Sequence, residues 1–599
     1  MPVQKQTLLK RFLVWRLRHI SHKQFVYLIS IIVGFMSGMV AMLIKNGTYF
    51  FQLLLEGKLV QEYHTAFYFI FPIIGLSLTY LLIKYIIRYQ PTQGIPATLF
   101  AISKRKGIMK RYQMWGSLLA APITVGFGGS VGLEGPTIST ASALSSNLSR
   151  MFHLNQATRT LLIGCAAAGA MSSIFKAPIA AIIFAIEVFS LDLTLISLIP
   201  LLLASVSAII TSYFFFGNDL LLPFNIEDKF VLQDIPFYIL LGVVAGFVSV
   251  YFTETYERFQ QFFEKIGSPI KRLLIGGIGI GLLVYFIPPL YGEGFDTINN
   301  LVLGNPEKAM QNNIFHLDTT NVWVLIALLS GLVLFKVIAS CLTFGAGGVG
   351  GIFSPTLFMG SIMGFTLAKI LNNIGLLTNP ISESNFTLVG MTGLMAGVLH
   401  APLTAIFLIA EVTGGYELFI PLMITAAISY SITKYFMPHS VYAMELGRKG
   451  ELITHNKDHA VLTLMDIETV IERDFIAVHS DMTLGEIVRD AVVKSKRNLF
   501  PIVNKETHHL DGILLLDDLR PVMFDQSLYS EMTARDLMQN PPEIILLEDT
   551  KMKDVMKKFQ DTGAWNLPVT SNGVYYGFVS KSKLLTAYRR KLIDLSGKQ

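Results

Sequence analysis

Glu134 lies inside the run Gly128-Gly129-Ser130-Val131-Gly132-Leu133-Glu134-Gly135-Pro136, in an otherwise apolar stretch of the chain. A companion run, Gly347-Gly348-Val349-Gly350-Gly351-Ile352-Phe353-Ser354-Pro355, follows two hundred residues later. Glycine frees the backbone, and proline suits the first turn of a helix because it has no N–H to leave unpaired. Each run therefore reads as a loop that opens a helix. A helix N-terminus presents free N–H groups and a partial positive charge, which is a ready anion site. Two of them in one membrane chain suggest an anion pathway between two repeats. An acid at such a helix start is costly within a membrane unless it serves function. Deprotonated, Glu134 can occupy the amide cradle an anion would use. Protonated or swung away, it vacates the cradle, so it can act as a gate linked to pH.

The elements that must hold these runs are membrane helices. Hydrophobic residues make up 52% of the 599-residue chain, and its mean hydropathy is +0.52. That is too apolar for a soluble globular protein of this size. The stretches Phe25–Ile44, Ala66–Ile86, Leu193–Phe216 and Val322–Phe344 are long enough to span hydrocarbon or nearly so. Lys5, Lys10, Arg11, Arg16, Arg18 and Lys23 precede or begin the first span, with no small-residue cleavage site. The expectation is a retained, cytoplasmic N-terminus rather than a signal peptide or a nucleic-acid site. Cys165 and Cys341 both lie in apolar surroundings and imply neither a disulfide framework nor a metal motif.

The membrane part repeats. Ala177-Pro178-Ile179-Ala180-Ala181-Ile182-Ile183-Phe184-Ala185-Ile186-Glu187-Val188 aligns with Ala401-Pro402-Leu403-Thr404-Ala405-Ile406-Phe407-Leu408-Ile409-Ala410-Glu411-Val412. Each follows its glycine-rich run, so one order of motifs occurs twice. Such duplicated halves place a binding site at their interface, near mid-membrane. Glu187 and Glu411 are read as paired structural acids bonded to neighbouring backbone, with a proton relay as the alternative. After about Arg448 the character becomes that of a soluble α/β domain. Phe475–Val478, Phe500–Val503, Gly512–Leu516 and Tyr576–Val579 read as strands, and Leu484–Val493 and Met552–Asp561 as helices. This domain also looks doubled.

The motifs Gly132–Pro136 and Gly351–Pro355 resemble those of the CLC family of chloride channels and chloride/proton exchangers. So do Gln93-Gly94-Ile95-Pro96, Tyr291-Gly292-Glu293-Gly294-Phe295, Ala401–Thr413 and Ser440-Val441-Tyr442. The tail is similar to a tandem pair of CBS domains. The resemblance implies a polytopic α-helical membrane protein with two homologous, inverted repeats, followed by a C-terminal cytosolic α/β CBS pair. The expected segments are a cytoplasmic N-terminal piece 1–24, a transmembrane domain 25–447, a linker 448–464, and CBS domains 465–525 and 530–592. It also implies a homodimer in the cell (inner) membrane with one anion pathway per subunit and both termini cytoplasmic.

By the same resemblance Glu134 matches the gating glutamate. Gln93, Gly94, Gly132, Leu133, Gly351, Ile352, Phe353 and Tyr442 match the anion-binding positions. The backbone N–H groups of Ile352 and Phe353 are expected at the central anion, with the Tyr442 hydroxyl as a further donor. Two departures matter. Gln93 stands where the family usually has serine, and it carries an amide acceptor as well as donors, so anion preference is open. Val188 stands where many exchangers carry their internal proton-transfer acid. Valine holds no proton, which leans the reading towards a passive channel. Lys336, inside an apolar helix, either adds positive potential along the route or pairs with an acid. In the CBS pair Asp518 and Ser580 each retain half of a nucleotide-binding signature, so an adenine nucleotide is possible there and a role in dimerisation and gating is the alternative. No other cofactor is expected.

The function expected is a CLC-type chloride channel, voltage- or pH-gated, with a chloride/proton antiporter of the same fold as the alternative. A CBS-regulated divalent-cation transporter is more remote, because it would need several intramembrane carboxylates. An intramembrane hydrolase would need a His-Glu-x-x-His motif or a nucleophile–base pair, and neither stands out.

Overall fold

Backbone polar groups in hydrocarbon must be satisfied within the chain, so long apolar runs can only fold as helices there. The computed structural model describes residues 8–55, 64–89, 94–191, 194–217, 230–310, 321–375, 377, 379–444, 461–462, 465–548 and 551–596. They form two compact units, one through Met444 and one from Val461.

A short helix α1 (Leu8–His19) leads into the first repeat, α2 (His22–Leu55), α3 (His64–Leu81), α4 (Gly94–Lys104), α5 (Gly116–Gly126), α6 (Glu134–Met151), α7 (Gln156–Phe175), α8 (Pro178–Phe189) and α9 (Leu195–Phe216). The second repeat follows the same order with α10 (Ile235–Lys265), α11 (Pro269–Phe286), α12 (Phe295–Val302), α13 (Val322–Gly345), α14 (Phe353–Asn373), α15 (Glu383–Leu399), α16 (Pro402–Val412) and α17 (Phe419–Phe436). The single turn Pro306–Ala309 lies between α12 and α13. Nine helices among the described residues are long and apolar enough to cross a membrane. Of the apolar stretches read from the sequence, Phe25–Ile44 falls within α2 and Val322–Phe344 within α13. Ala66–Ile86 runs from α3 into the π-turn Leu82–Ile87, and Leu193–Phe216 covers α9, with Leu193 outside the described residues.

Packing repeats along with order. α2 packs on α7 and α9, and α10 packs on α15 and α17; α6 packs on α7, and α14 on α15. The centre of the unit is formed by α7 and α14, which are mostly buried, while α11 shows most of its surface. The repeats meet through exchanged bonds. Gly132 N donates to Gly351 O (2.8 Å) and Gly351 N to Gly132 O (2.7 Å), in an antiparallel bridge. Ser130 N donates to Thr343 Oγ1 (3.2 Å) and Val349 N to Thr124 Oγ1 (3.1 Å). A two-fold operation exchanges each bond with its mate. Because the bridge is antiparallel, that operation reverses the chain direction at the shared point.

The C-terminal unit is an α/β CBS pair. A four-stranded sheet has the order β1-β6-β5-β4, and a separate antiparallel pair joins β2 to β3. The strands are β1 (Ile471–Glu472), β2 (Leu499–Val503), β3 (Leu510–Leu515), β4 (Ile545–Leu546), β5 (Asn566–Ser571) and β6 (Val574–Ser580). Helices α18 (Met552–Thr562) and α19 (Lys581–Ser596) complete the second half. In the first half the expected helix is a short α-turn, Leu484–Glu486, running on as the π-turn Ile487–Val492. The doubling holds in the proline that each central strand carries, Pro501 opposite Ile513 and Pro568 opposite Phe578.

One expected strand is corrected. Phe475–Val478 forms no ladder; only Val478 bridges Ile502. The paired residues are Ile471 and Glu472, which join β6 of the second half. Phe475 is held instead by its ring, 4.7 Å from the Phe578 ring, with the Arg497 guanidinium 5.1 Å above it. Apolar and cation–π contact there replace strand pairing.

Candidate functional site at the junction of the two repeats

Glycine makes the junction possible. A Cβ on Gly132 would collide with the Glu134 carboxylate and the Ser354 hydroxyl. A Cβ on Gly135 would stand 3.1 Å from the Gly351 Cα, and one on Gly94 would stand 3.1 Å from the Gly135 Cα. Three chain segments therefore approach backbone to backbone at the start of α6, where side chains could not fit.

Glu134 is the first residue of α6 and is 1% exposed. Its side chain folds back over Gly132. The Ser354 hydroxyl, in the first turn of α14, donates to Glu134 Oε1 at 2.5 Å. Oε2 is buried with no hydrogen-bond partner among the described residues. The carboxylate thus sits where the starts of α6 and α14 converge, and it can both accept from the other repeat and leave.

A second carboxylate stands beside it. Glu293, just ahead of α12, accepts from Leu133 N at 3.0 Å through Oε1. The same Oε1 lies 3.4 Å from Ser354 Oγ. Leu133 N is an amide of the α6 cradle, so Glu293 takes a donor of the kind an anion would use. Glu134 and Glu293 line one cavity with Lys45, Thr137, Ser173 and Lys176. Lys336 is fully buried on α13; its Nζ donates to Gly292 O at 3.0 Å and lies 4.6 Å from the Phe358 ring centroid. Its charge reaches Glu293. Lys336 thus bonds the backbone of the loop that carries Glu293.

The other expected residues are distributed as follows. Gly94, Gly132, Leu133, Gly351, Ile352 and Phe353 converge on the junction, and all are buried. Ile352 and Phe353 open α14, where helix N–H groups have no intrahelical acceptor. The Phe353 ring packs against Phe175 at 5.3 Å. Tyr442 is buried, its hydroxyl has no hydrogen-bond partner among the described residues, and it lies within electrostatic reach of Glu134. Gln93 lies outside the described residues.

Val188 is half-buried on α8, next to Glu187. Glu187 accepts from Leu403 N (3.0 Å), Thr404 N (2.8 Å) and Thr404 Oγ1 (2.6 Å) at the start of α16. Glu411 accepts from Ile179 N (3.1 Å) and Ala180 N (2.8 Å) at the start of α8. Each acid caps the other repeat's helix, which is a structural role.

Sequence reasoning passed over Glu293 as a functional residue, although it stood in a quoted motif. The available signal was its setting: an acid between Gly292 and Gly294 directly before a helix, as Glu134 stands before Gly135.

In the C-terminal unit, Ser580 Oγ donates to Glu472 and accepts from Lys583 N at 3.2 Å. Glu472 also accepts from Arg497 at 2.6 Å. Asp518 is half-buried, and its Oδ2 has no hydrogen-bond partner among the described residues.

Comparison with known proteins follows the same division. The family profile described as voltage gated chloride channel matches residues 75–434, and that of the CBS domain matches residues 534–590. A putative chloride channel protein ClcB-like from Ralstonia nicotianae is 28% identical over 385 residues, 63% of this chain and 85% of that protein. The voltage-gated ClC-type chloride channel ClcB of Escherichia coli O139:H28 is 29% identical over 330 residues, 54% of this chain and 73% of that protein. Among solved structures, a slow cyanobacterial Cl−/H+ antiporter has TM-score 0.59 at 20% identity, covering 71% of this chain and 97% of that one. A eukaryotic CLC transporter has TM-score 0.58 at 16% identity, covering 93% of this chain and 97% of that one. At these identities the structures establish the fold.

Proposed function

The chain belongs to the voltage-gated chloride channel (CLC) family, and from that premise we propose that it conducts chloride passively through a pathway gated by Glu134. It is a membrane protein of the CLC chloride-transport type. The observation that carries the gating reading is the Glu134 carboxylate folded onto the point where the starts of α6 and α14 meet. An anion drawn to those helix ends competes with it for the same donors. Protonation of Glu134 removes its charge and frees the donors. The buried Tyr442 hydroxyl supports the anion site, because an unpartnered buried donor calls for an acceptor. Val188, in place of an acid, supports passive flow over coupled exchange.

The proposal extends to a homodimer in the inner membrane with both termini cytoplasmic. The basic N-terminal segment supports that orientation. The CBS pair is assigned a part in dimerisation and gating. An adenine nucleotide at Asp518 and Ser580 would require Ser580 to leave Glu472.

A chloride/proton antiporter is the second reading, and Glu293 favours it: a second acid within one hydroxyl of Glu134 supplies proton capacity that Val188 does not. The deciding experiment is proton movement in liposomes of the purified chain driven only by a chloride gradient. Chloride flux without coupled protons is the expected result. Uphill proton flux at a fixed ratio to chloride would replace the channel with the antiporter.

A further inference from the structure

Two carboxylates at the junction share a single hydroxyl. Ser354 Oγ carries one proton, which it donates to Glu134 Oε1 at 2.5 Å, while Glu293 Oε1 stands 3.4 Å from the same oxygen. A hydroxyl can also accept through its lone pairs. A protonated Glu293 can therefore donate to Ser354 while Ser354 donates to Glu134, which makes a continuous chain of three groups. We infer that Glu293 is the proton partner of Glu134, exchanging its proton with the gate through the Ser354 hydroxyl. This rests on Glu134 as the gate.

The step balances. The proton leaves the Glu293 carboxyl for Ser354 Oγ as the Ser354 hydroxyl proton moves to Glu134 Oε1. The hydroxyl is restored, Glu134 becomes neutral and Glu293 becomes the anion. That anion is received by a donor already aimed at it, Leu133 N at 3.0 Å. Neutral Glu134 then has no charge to hold it at the helix starts. Glu293 is a positioning and proton-exchange residue, acting on flux through Glu134.

Other charged and titratable groups face this pair. Lys45 on α2 and Lys336 on α13 reach Glu293 with their charges. Lys176, at the end of α7, lines the same cavity with its Nζ on Gly217 O at 2.7 Å. Tyr442 lies within electrostatic reach of Glu134. None of these stands between Glu134 and Glu293 as Ser354 does. The cations favour one negative charge in the cavity, and two carboxylates so close disfavour a second. The pair therefore shares one proton between its two carboxyls.

The test is chloride efflux from liposomes of the full chain as a function of pH, each curve normalised to its own maximum. The variants are Glu293→Gln, Ser354→Ala and Glu134→Gln. In Glu293→Gln the midpoint is expected to fall by about one pH unit, a tenfold rise in the proton concentration required. Ser354→Ala removes a donor that favours the charged Glu134 carboxylate, so its own midpoint is expected to rise. Adding Glu293→Gln to Ser354→Ala is expected to move the curve no further. Glu293→Asp stands in should Glu293→Gln fail to fold. A purely structural Glu293 would change the amount of flux and leave the normalised curve in place. If Glu134→Gln is flat while Glu293→Gln and Ser354→Ala overlay the parent, the proton partnership is overturned and the gate stands. A further shift on adding Glu293→Gln to Ser354→Ala overturns the route through Ser354. A Glu134→Gln curve that keeps the parental pH dependence removes the gate and the partnership together.

Discussion

The starts of α6 and α14 are mates under the two-fold, and they differ where it matters. Counted from Gly132 and Gly351, Leu133 matches Ile352, Glu134 matches Phe353, Gly135 matches Ser354 and Pro136 matches Pro355. The shared residues build the scaffold: glycines for backbone contact and a proline in each first turn. The unshared ones do the chemistry. One repeat supplies a carboxylate; the other supplies an apolar ring at that position and a hydroxyl one residue later. The hydroxyl then bonds the carboxylate across the two-fold. A symmetric pair of acids would repel at this distance. Symmetry brings the two helix starts together, and asymmetry places one carboxylate and one hydroxyl at their meeting point.

This comparison is broken most severely at its one charged member. Glu134→Gln is expected to abolish the pH dependence of chloride flux, so that efflux measured across acid and neutral pH becomes flat. Parental pH dependence in that variant would remove the gate. The symmetric acids give a smaller effect, on stability. Glu187→Ala loses three hydrogen bonds to the start of α16 and Glu411→Ala two to the start of α8. Losses of about 2 and about 1 kcal/mol are expected, in that order, by denaturation of the purified chain. Equal losses would mean that the Thr404 hydroxyl contributes nothing.

The CBS pair gives a weaker, pH-dependent case. Burial works against ionisation of Glu472, but the Ser580 and Arg497 hydrogen bonds and the Arg497 and Lys583 charges outweigh it. Its carboxyl is held below the usual carboxylate value. A depressed folded value stabilises the unit above the unfolded value, and that contribution is lost as pH falls through the folded one. Protection of β6 amides in the full chain, taken relative to the intrinsic exchange rate at each pH, is expected to fall on acidification, and Glu472→Gln to flatten that response. The smallest expected effect is Gln93→Ser, which shifts the chloride, nitrate and fluoride permeability order with the gate intact. An unchanged order would place Gln93 off the pathway.

By itself the sequence determined the membrane class, the doubled order of motifs and the acid at a helix start. Each is a short-range signal: an apolar run, a glycine–proline loop, a residue type beside a helix N-terminus. It misplaced the first strand of the CBS pair, because Ile471 and Glu472 find their partner in β6, a hundred residues away. Only the tertiary structure decided that Glu293 meets Leu133 across 160 residues, and that Ser354 meets Glu134 across 220. Only it decided that Glu187 and Glu411 cap each other's repeats. Such contacts depend on which helix ends the packing brings together, and no local pattern of residues encodes that. The sequence singled out Glu134 as the candidate gate; the fold brought the Ser354 hydroxyl and the Glu293 carboxyl to its side.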